Sequence, residues 1–160
     1  MAINVGWDND EQTVICYQFS GTWTWQDAEA ALETSFSLTE TVAHKVHVIV
    51  DMRHSKGLPD GIILKINKVL QIAPSNRGNI VIVGANSLMK TTLRMAGRIH
   101  KAVANRIATA ETFEDAYALL RMKPNPARIM DISVLREVAP AEKPNRRFGA
   151  SFASLTAIFG

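Results

Sequence analysis

Cysteine is almost missing from this sequence: Cys16 is the only one in 160 residues. A disulfide framework and a cysteine-rich metal site are both excluded, and an intracellular protein is the default expectation. Cys16 itself reads as a small buried hydrophobe on a strand. Long apolar runs are missing as well. The first residues, MAINVGWDND, have neither the basic start nor the apolar stretch of a secretory signal. No segment approaches the roughly 20 consecutive apolar residues that a membrane span needs. A cytoplasmic location with no integral membrane span is predicted. Histidine is sparse. His44 and His47 are spaced as helices space metal ligands, but they sit at a predicted strand entrance, where successive side chains face opposite ways, and no third ligand follows. His54 and His100 each stand alone, and no serine, histidine and acid can be grouped as a triad.

A glycine is also missing where it would matter. IVIVGANSLMKTT is one residue short of the phosphate-binding pattern G-x-x-x-x-G-K-[ST], with Met89 in the place of the second glycine. The methionine side chain obstructs the approach of backbone amides to a phosphate, and no acidic strand motif for magnesium accompanies it. No catalytic residue, cofactor or metal is assigned, and a non-enzymatic protein is predicted.

What is present is an ordinary globular composition, 47% apolar and 21% charged, enough for one domain around a single core. The formal charge of +3 is unevenly placed. Residues 1–120 hold 11 Lys and Arg against 12 Asp and Glu, whereas residues 121–160 hold 7 against 3. Two apolar runs around Asp8-Asn9-Asp10-Glu11 predict a hairpin. Thr24 to Asp27 has capping-box spacing, and Ala28, Ala31, Leu32, Ser35 and Phe36 follow at helical intervals. KVHVIVDM reads as a strand buried on both faces and ending near Asp51. Asp60 then caps a helix whose Ile62, Ile63, Ile66, Val69 and Leu70 form one stripe, closed by Pro74. NIVIVGA is a second buried strand, Asn86 or Ser87 opens a long helix to about Asn105, and RIATA is a short strand. Thr112 to Asp115 caps a last helix through Leu120. The order β-β-α-β-α-β-α-β-α requires parallel neighbours joined by right-handed crossovers.

That order, with FSGTWTWQDAEAALETSF, VHVIVDMRHS, IVIVGANS and RIATAETFEDAYALL, resembles the STAS family, the sulfate-transporter and anti-sigma-factor-antagonist domain, in its divergent bacterial branch. The likeness covers roughly residues 1–122 and implies an α/β fold: a STAS-like mixed, mostly parallel sheet with an N-terminal hairpin and four helices, followed by a C-terminal extension. It also implies a bacterial regulatory or scaffolding role through protein-protein contacts, with a homo-oligomer expected. In anti-sigma-factor antagonists, a serine at the start of the helix after the Asp-ending strand is phosphorylated. Counted from Asp51, that position falls at Pro59-Asp60-Gly61, where there is no hydroxyl, and Ser55 lies earlier in the predicted loop. Ser55 reads either as a phospho-acceptor or as a plain loop serine. Ser55, Lys56, Gly57 and Asp60 are the candidate partner-binding residues of this loop. STAS-like domains also resemble lipid-transfer folds in outline, so the alternative is a carrier of a lipid or small molecule, with Trp23 and Trp25 near a pocket mouth.

Two further surfaces are candidates. Lys90, Arg94, Arg98 and Lys101 recur at four, four and three residues and share a helix face opposite Leu88, Thr92, Met95, Ile99 and Val103. That basic face is either solvated or a docking strip for an acidic partner or anionic surface, and not a nucleic-acid site, because no aromatic residues interleave it. The extension divides into a Pro-containing linker, residues 123–145, and a segment 146–160. In the latter, Phe148, Phe152, Leu155 and Phe159 share one face of a short amphipathic helix that folds back on the body or docks on another chain.

Overall fold

The computed structural model describes residues 2–123. The segment carrying Phe148, Phe152, Leu155 and Phe159, and the predicted linker from residue 124 on, lie outside them. The elements run β1 (Ile3–Trp7), β2 (Val14–Gly21), α1 (Trp25–Glu40), β3 (Val46–Ser55), α2 (Ile62–Ile72), β4 (Arg77–Val83), α3 (Ser87–Ile99), α4 (Lys101–Arg106), β5 (Ile107–Ala110) and α5 (Phe113–Leu120). The expected α/β class and mostly parallel mixed sheet are present. Five strands lie in the order β1-β2-β3-β4-β5, and only the β1–β2 hairpin is antiparallel. Among the described residues no helix is long and apolar enough to cross a membrane.

Local chemistry explains most boundaries. In the hairpin turn, the Asn9 side chain accepts from the amides of Thr13 and Val14, both at 3.1 Å, so the turn is closed by a side chain acting as backbone. Thr24 and Asp27 complete a reciprocal capping box at the start of α1. Asn86 accepts from Met89 N at 2.9 Å and opens α3, and Thr112 accepts from Asp115 N at 3.1 Å to open α5.

Four expectations are corrected. Asp60 does not cap α2: the cap position is Gly61, at φ 75°, and no side chain closes that helix end. The strand does not end at Asp51 but continues to Ser55, because β2 resumes pairing after a register shift, with Ser20 opposite His54 and Gly21 opposite Ser55. Among the described residues there are five helices where four were expected. The long helix breaks at His100, which takes extended angles (φ −125°, ψ 107°), and the chain re-enters a short helix, α4. Small residues allow the sharp bend: a Cβ on Gly97 would lie 3.2 Å from Ala104 Cβ, so α3 and α4 meet closely there. Finally, Leu88, Met95 and Ile99 are not the packing face of α3; they are 68%, 50% and 66% exposed. The inward row is Met89, Leu93 and Ala96.

Side chains alternate between two faces of the sheet. Ile15, Tyr17, Val48 and Ile82 face α1, α2 and α3, and Ile80 and Ile107 meet α2, α3 and α4 residues on that side. Val14, Cys16, Ile49, Val81 and Val83 face the opposite way, under Phe113, Ala116, Tyr117 and Leu120 of α5. Cys16 is fully buried there, and the Tyr117 hydroxyl donates to the buried Asp8 carboxylate.

On that α5 side lies a charge within the sheet. Asp51 is fully buried, and Arg53, two residues on and therefore on the same face, donates Nε to Oδ1 and Nη2 to Oδ2, both at 2.8 Å. The carboxylate holds the Arg53 guanidinium above its ordinary pKa through these hydrogen bonds, and the cation rests 4.9 Å from the centre of the Phe113 ring. Arg53→Met removes the counter-charge of a buried carboxylate and is expected to lower stability by about 3–5 kcal/mol, read as a drop in the urea midpoint. A change below about 1 kcal/mol would show that Asp51 does not depend on this partner.

Candidate functional site: an apolar chamber under helix α2

Helix α2 carries the stripe expected of a core helix, yet only Leu70 is fully buried; Ile62, Ile63, Ile66 and Val69 are half-buried. Its close neighbours are α3 and α4, whereas α1 packs on β1 and α4 on β4 and β5. Among the described residues, packing over the middle of the sheet is incomplete at one point. Val50 lies in the centre of β3, the middle strand, on the side of these helices, and is only half-buried, although Ile49 beside it on the other face is 0% exposed. Between the sheet and the helices lies a cavity of about 170 Å³. Tyr17, Val48, Val50, Met52, Ile80 and Ile82 form its floor, Ala28, Ala31, Leu32 and Phe36 of α1 one wall, and Ile66, Val69, Met89 and Leu93 of α2 and α3 the rest. Its lining is almost wholly apolar.

One end is closed by the connection from β3 to α2. Leu58 and Ile62 line the chamber, and the segment between them is flanked by Gly57 at φ 85° and Gly61 at φ 75°, both in the left-handed region that glycine enters without strain. Indole groups tether this strap. Trp25 Nε1 donates to the Asp60 carbonyl at 3.0 Å, the Lys65 ammonium lies 4.4 Å from the Trp25 ring centre, and Trp23 Nε1 donates to Ser55 Oγ at 3.0 Å. Ser55 Oγ in turn donates to the Gly57 carbonyl at 3.2 Å, and Lys56 N donates to the Gly21 carbonyl at 2.8 Å. The four loop candidates, Ser55, Lys56, Gly57 and Asp60, are thus brought together around Trp23 and Trp25. Ser55 ends a strand with its hydroxyl engaged on both sides and is not a plain loop serine. The two tryptophans line the chamber and stack edge to face at 5.6 Å.

At the other end, where β4 begins, stands Arg77. It lines the chamber, is only 6% exposed, and was not singled out by the sequence reasoning. Its Nη2 donates to Ser35 Oγ at 2.6 Å, Thr39 Oγ1 at 2.7 Å and the Ser35 carbonyl at 3.2 Å, and its guanidinium lies 5.4 Å from the centre of the Phe36 ring. The signal was an arginine at the mouth of an apolar strand, SNRGNIVIV, and a Ser and a Thr on the inward stripe of α1.

The basic strip is only partly assembled. Lys90, Arg94 and Arg98 line a groove between α3, α4 and β5, but Lys101 falls beyond the break at His100, on α4, and does not line it. Lys90 pairs with Glu111 at 2.7 Å and holds that carboxyl below its usual range. The histidines are apart: His44 Nε2 meets the Gln12 carbonyl, while His47 Nδ1 accepts from Asn79 N at 3.0 Å, and burial, with Lys45 nearby, pushes its pKa down. Among the described residues no three metal-ligating side chains converge.

Compared with protein-family models and with curated proteins, the chain matches none.

A half-empty floor makes a specific prediction. Val50→Phe projects into the chamber and is expected to leave stability unchanged or raise it. Ile49→Phe, on the filled face one residue away, costs about 1–3 kcal/mol. Equal losses in paired thermal melts would mean that the space above Val50 is not there in solution.

Proposed function

We propose that this protein is a non-enzymatic bacterial binding module of the STAS-like kind that carries or senses a small apolar ligand in the chamber under α2. The observation that supports this most directly is the half-buried Val50 at the centre of a five-stranded sheet. A central parallel strand is ordinarily sealed on both faces, and a fold that leaves apolar floor unfilled gives up dispersion contacts that a guest restores. The strap between Gly57 and Gly61 is the natural entrance, because rotations at two glycines swing Leu58 outward while the sheet stays intact. A cytoplasmic location fits the single cysteine. Toluene is a suitable neutral probe. Titration is expected to change the fluorescence of Trp23 and Trp25 saturably and to raise the melting temperature as binding to the native state requires, and Val50→Phe is expected to abolish both responses. No response in the wild-type protein up to the solubility limit of toluene would sink the carrier reading.

A second reading, action through protein contacts as a homo-oligomer, is favoured by the outward row Leu88, Met95 and Ile99, three large apolar side chains on one face of α3. Under it, the double variant Met95→Glu, Ile99→Glu lowers the subunit count measured by light scattering while the melting temperature holds. A monomeric wild-type protein would refute it.

A further inference from the structure

We infer that the guest of the chamber is a small amphipathic monocarboxylate, with an apolar body of about six to eight carbons and its carboxylate paired to Arg77. This rests on the carrier reading above and adds the chemistry of the ligand.

Arg77 is a cation placed at the end of an otherwise apolar space that lies away from the strap. It is 6% exposed, its Nε has no hydrogen-bond partner, and no carboxylate among the described residues pairs with it. The groups that hold it are neutral: two hydroxyls and a carbonyl of α1 and the face of Phe36. They fix the guanidinium in place without cancelling its charge. A buried unpaired charge is costly, and this one is already desolvated and oriented by the bonds of its Nη2, so a carboxylate arriving there meets the unused Nε–H without reorganisation. The pairing is buried, so salt screens it weakly.

The geometry also sets the direction of binding. Arg77 is in register with Val46, the first residue of β3, and Met52, near the strap, lies six residues further along that strand. The two ends of the chamber are therefore about 20 Å apart at 3.3 Å per residue. The acid binds head inward, its chain running over Val50 toward Leu58. The volume of about 170 Å³ limits the buried part of the chain. Benzene occupies a cavity of roughly 150 Å³, which argues for a medium-length or aryl acid with any longer chain emerging past the strap.

The experiment is a calorimetric comparison of octanoate with 1-octanol on the full chain at pH 7.5, repeated on Arg77→Gln and Arg77→Lys. Octanoate is expected to bind at least about tenfold more tightly than the alcohol, the usual worth of one charge-assisted pair. Arg77→Gln is expected to remove that preference while leaving the affinity for 1-octanol within about twofold, and Arg77→Lys to keep part of it. Should the Gln variant fail to fold, the Arg77 Nε–H resonance of the wild-type protein decides: it shifts on adding octanoate and not on adding 1-octanol. If both guests bind equally and the resonance is unmoved, Arg77 is a structural cation only and the inference is wrong, although the carrier reading survives. If neither binds, both are wrong.

Discussion

Handedness is the constraint from which this structure follows. Strands β2 to β5 are parallel and lie side by side in chain order. A right-handed crossover that always steps in the same direction returns over the same face each time. Every connecting helix, α1 to α4, is consequently on one side, and α5 alone crosses to the other. Five strands at about 4.8 Å spacing are roughly 19 Å across from first to last, whereas helices pack 8–10 Å apart. Three crossovers side by side need about as much width between their axes as the whole sheet offers, with no margin for their side chains. The outer two reach the sheet, α1 over β1 and α4 over β4 and β5, and α2 is carried by α3 and α4 above the centre. The chamber is the space this arrangement leaves.

The opposite face shows what the same sheet does when it is not crowded. One helix, α5, sets Phe113, Ala116, Tyr117 and Leu120 on Val14, Cys16, Val81 and Val83, and all of these are buried. Charge is handled there as the first side does not handle it. Asp51 has its counter-ion two residues away on the same strand, bidentate and short, and the pair leans on Phe113. The described residues therefore contain a satisfied buried carboxylate on the filled face and, on the hollow one, a buried guanidinium with no carboxylate partner among them. The contrast argues that the hollow is a property of that face and not of a loosely packed protein.

The sequence was most legible where a short-range rule acts alone. Capping at Thr24, Asn86 and Thr112 depends on three or four neighbouring residues, and the strands announce themselves as β-branched runs, so element order and sheet class could be read directly. The α3 surface could not. Leu88, Met95 and Ile99 form one row at helical spacing and Met89, Leu93 and Ala96 another beside it, and periodicity cannot choose between adjacent rows. The choice is made by long-range contact, where Ala96 and Gly97 let α4 approach. The bend at His100 that separates Lys101 from Lys90, Arg94 and Arg98 belongs to the same contact. Asp60 was misread because capping chemistry was present one residue too early: the turn needed the positive φ of Gly61, which took the cap position. Ser55 was misread with the strand, since a register shift after Gln18 is invisible in composition.

Arg77 was missed for a different reason. An arginine before an apolar run looks like a strand terminus in water, and nothing local reveals that α1 will cover it. The signal was on α1 itself, where Ser35 and Thr39, four residues apart, interrupt an apolar stripe and are both 0% exposed. Two buried hydroxyls at helical spacing are wasted on a core, because each must find a partner or lose the free energy of desolvation. Thr39 Oγ1 donates to the Ser35 carbonyl at 2.8 Å and accepts from Arg77, and Ser35 Oγ accepts from the same Nη2, so the two hydroxyls form a polar seat for the guanidinium. The seat holds the guanidinium still through neutral partners, and it has no carboxylate partner among the described residues.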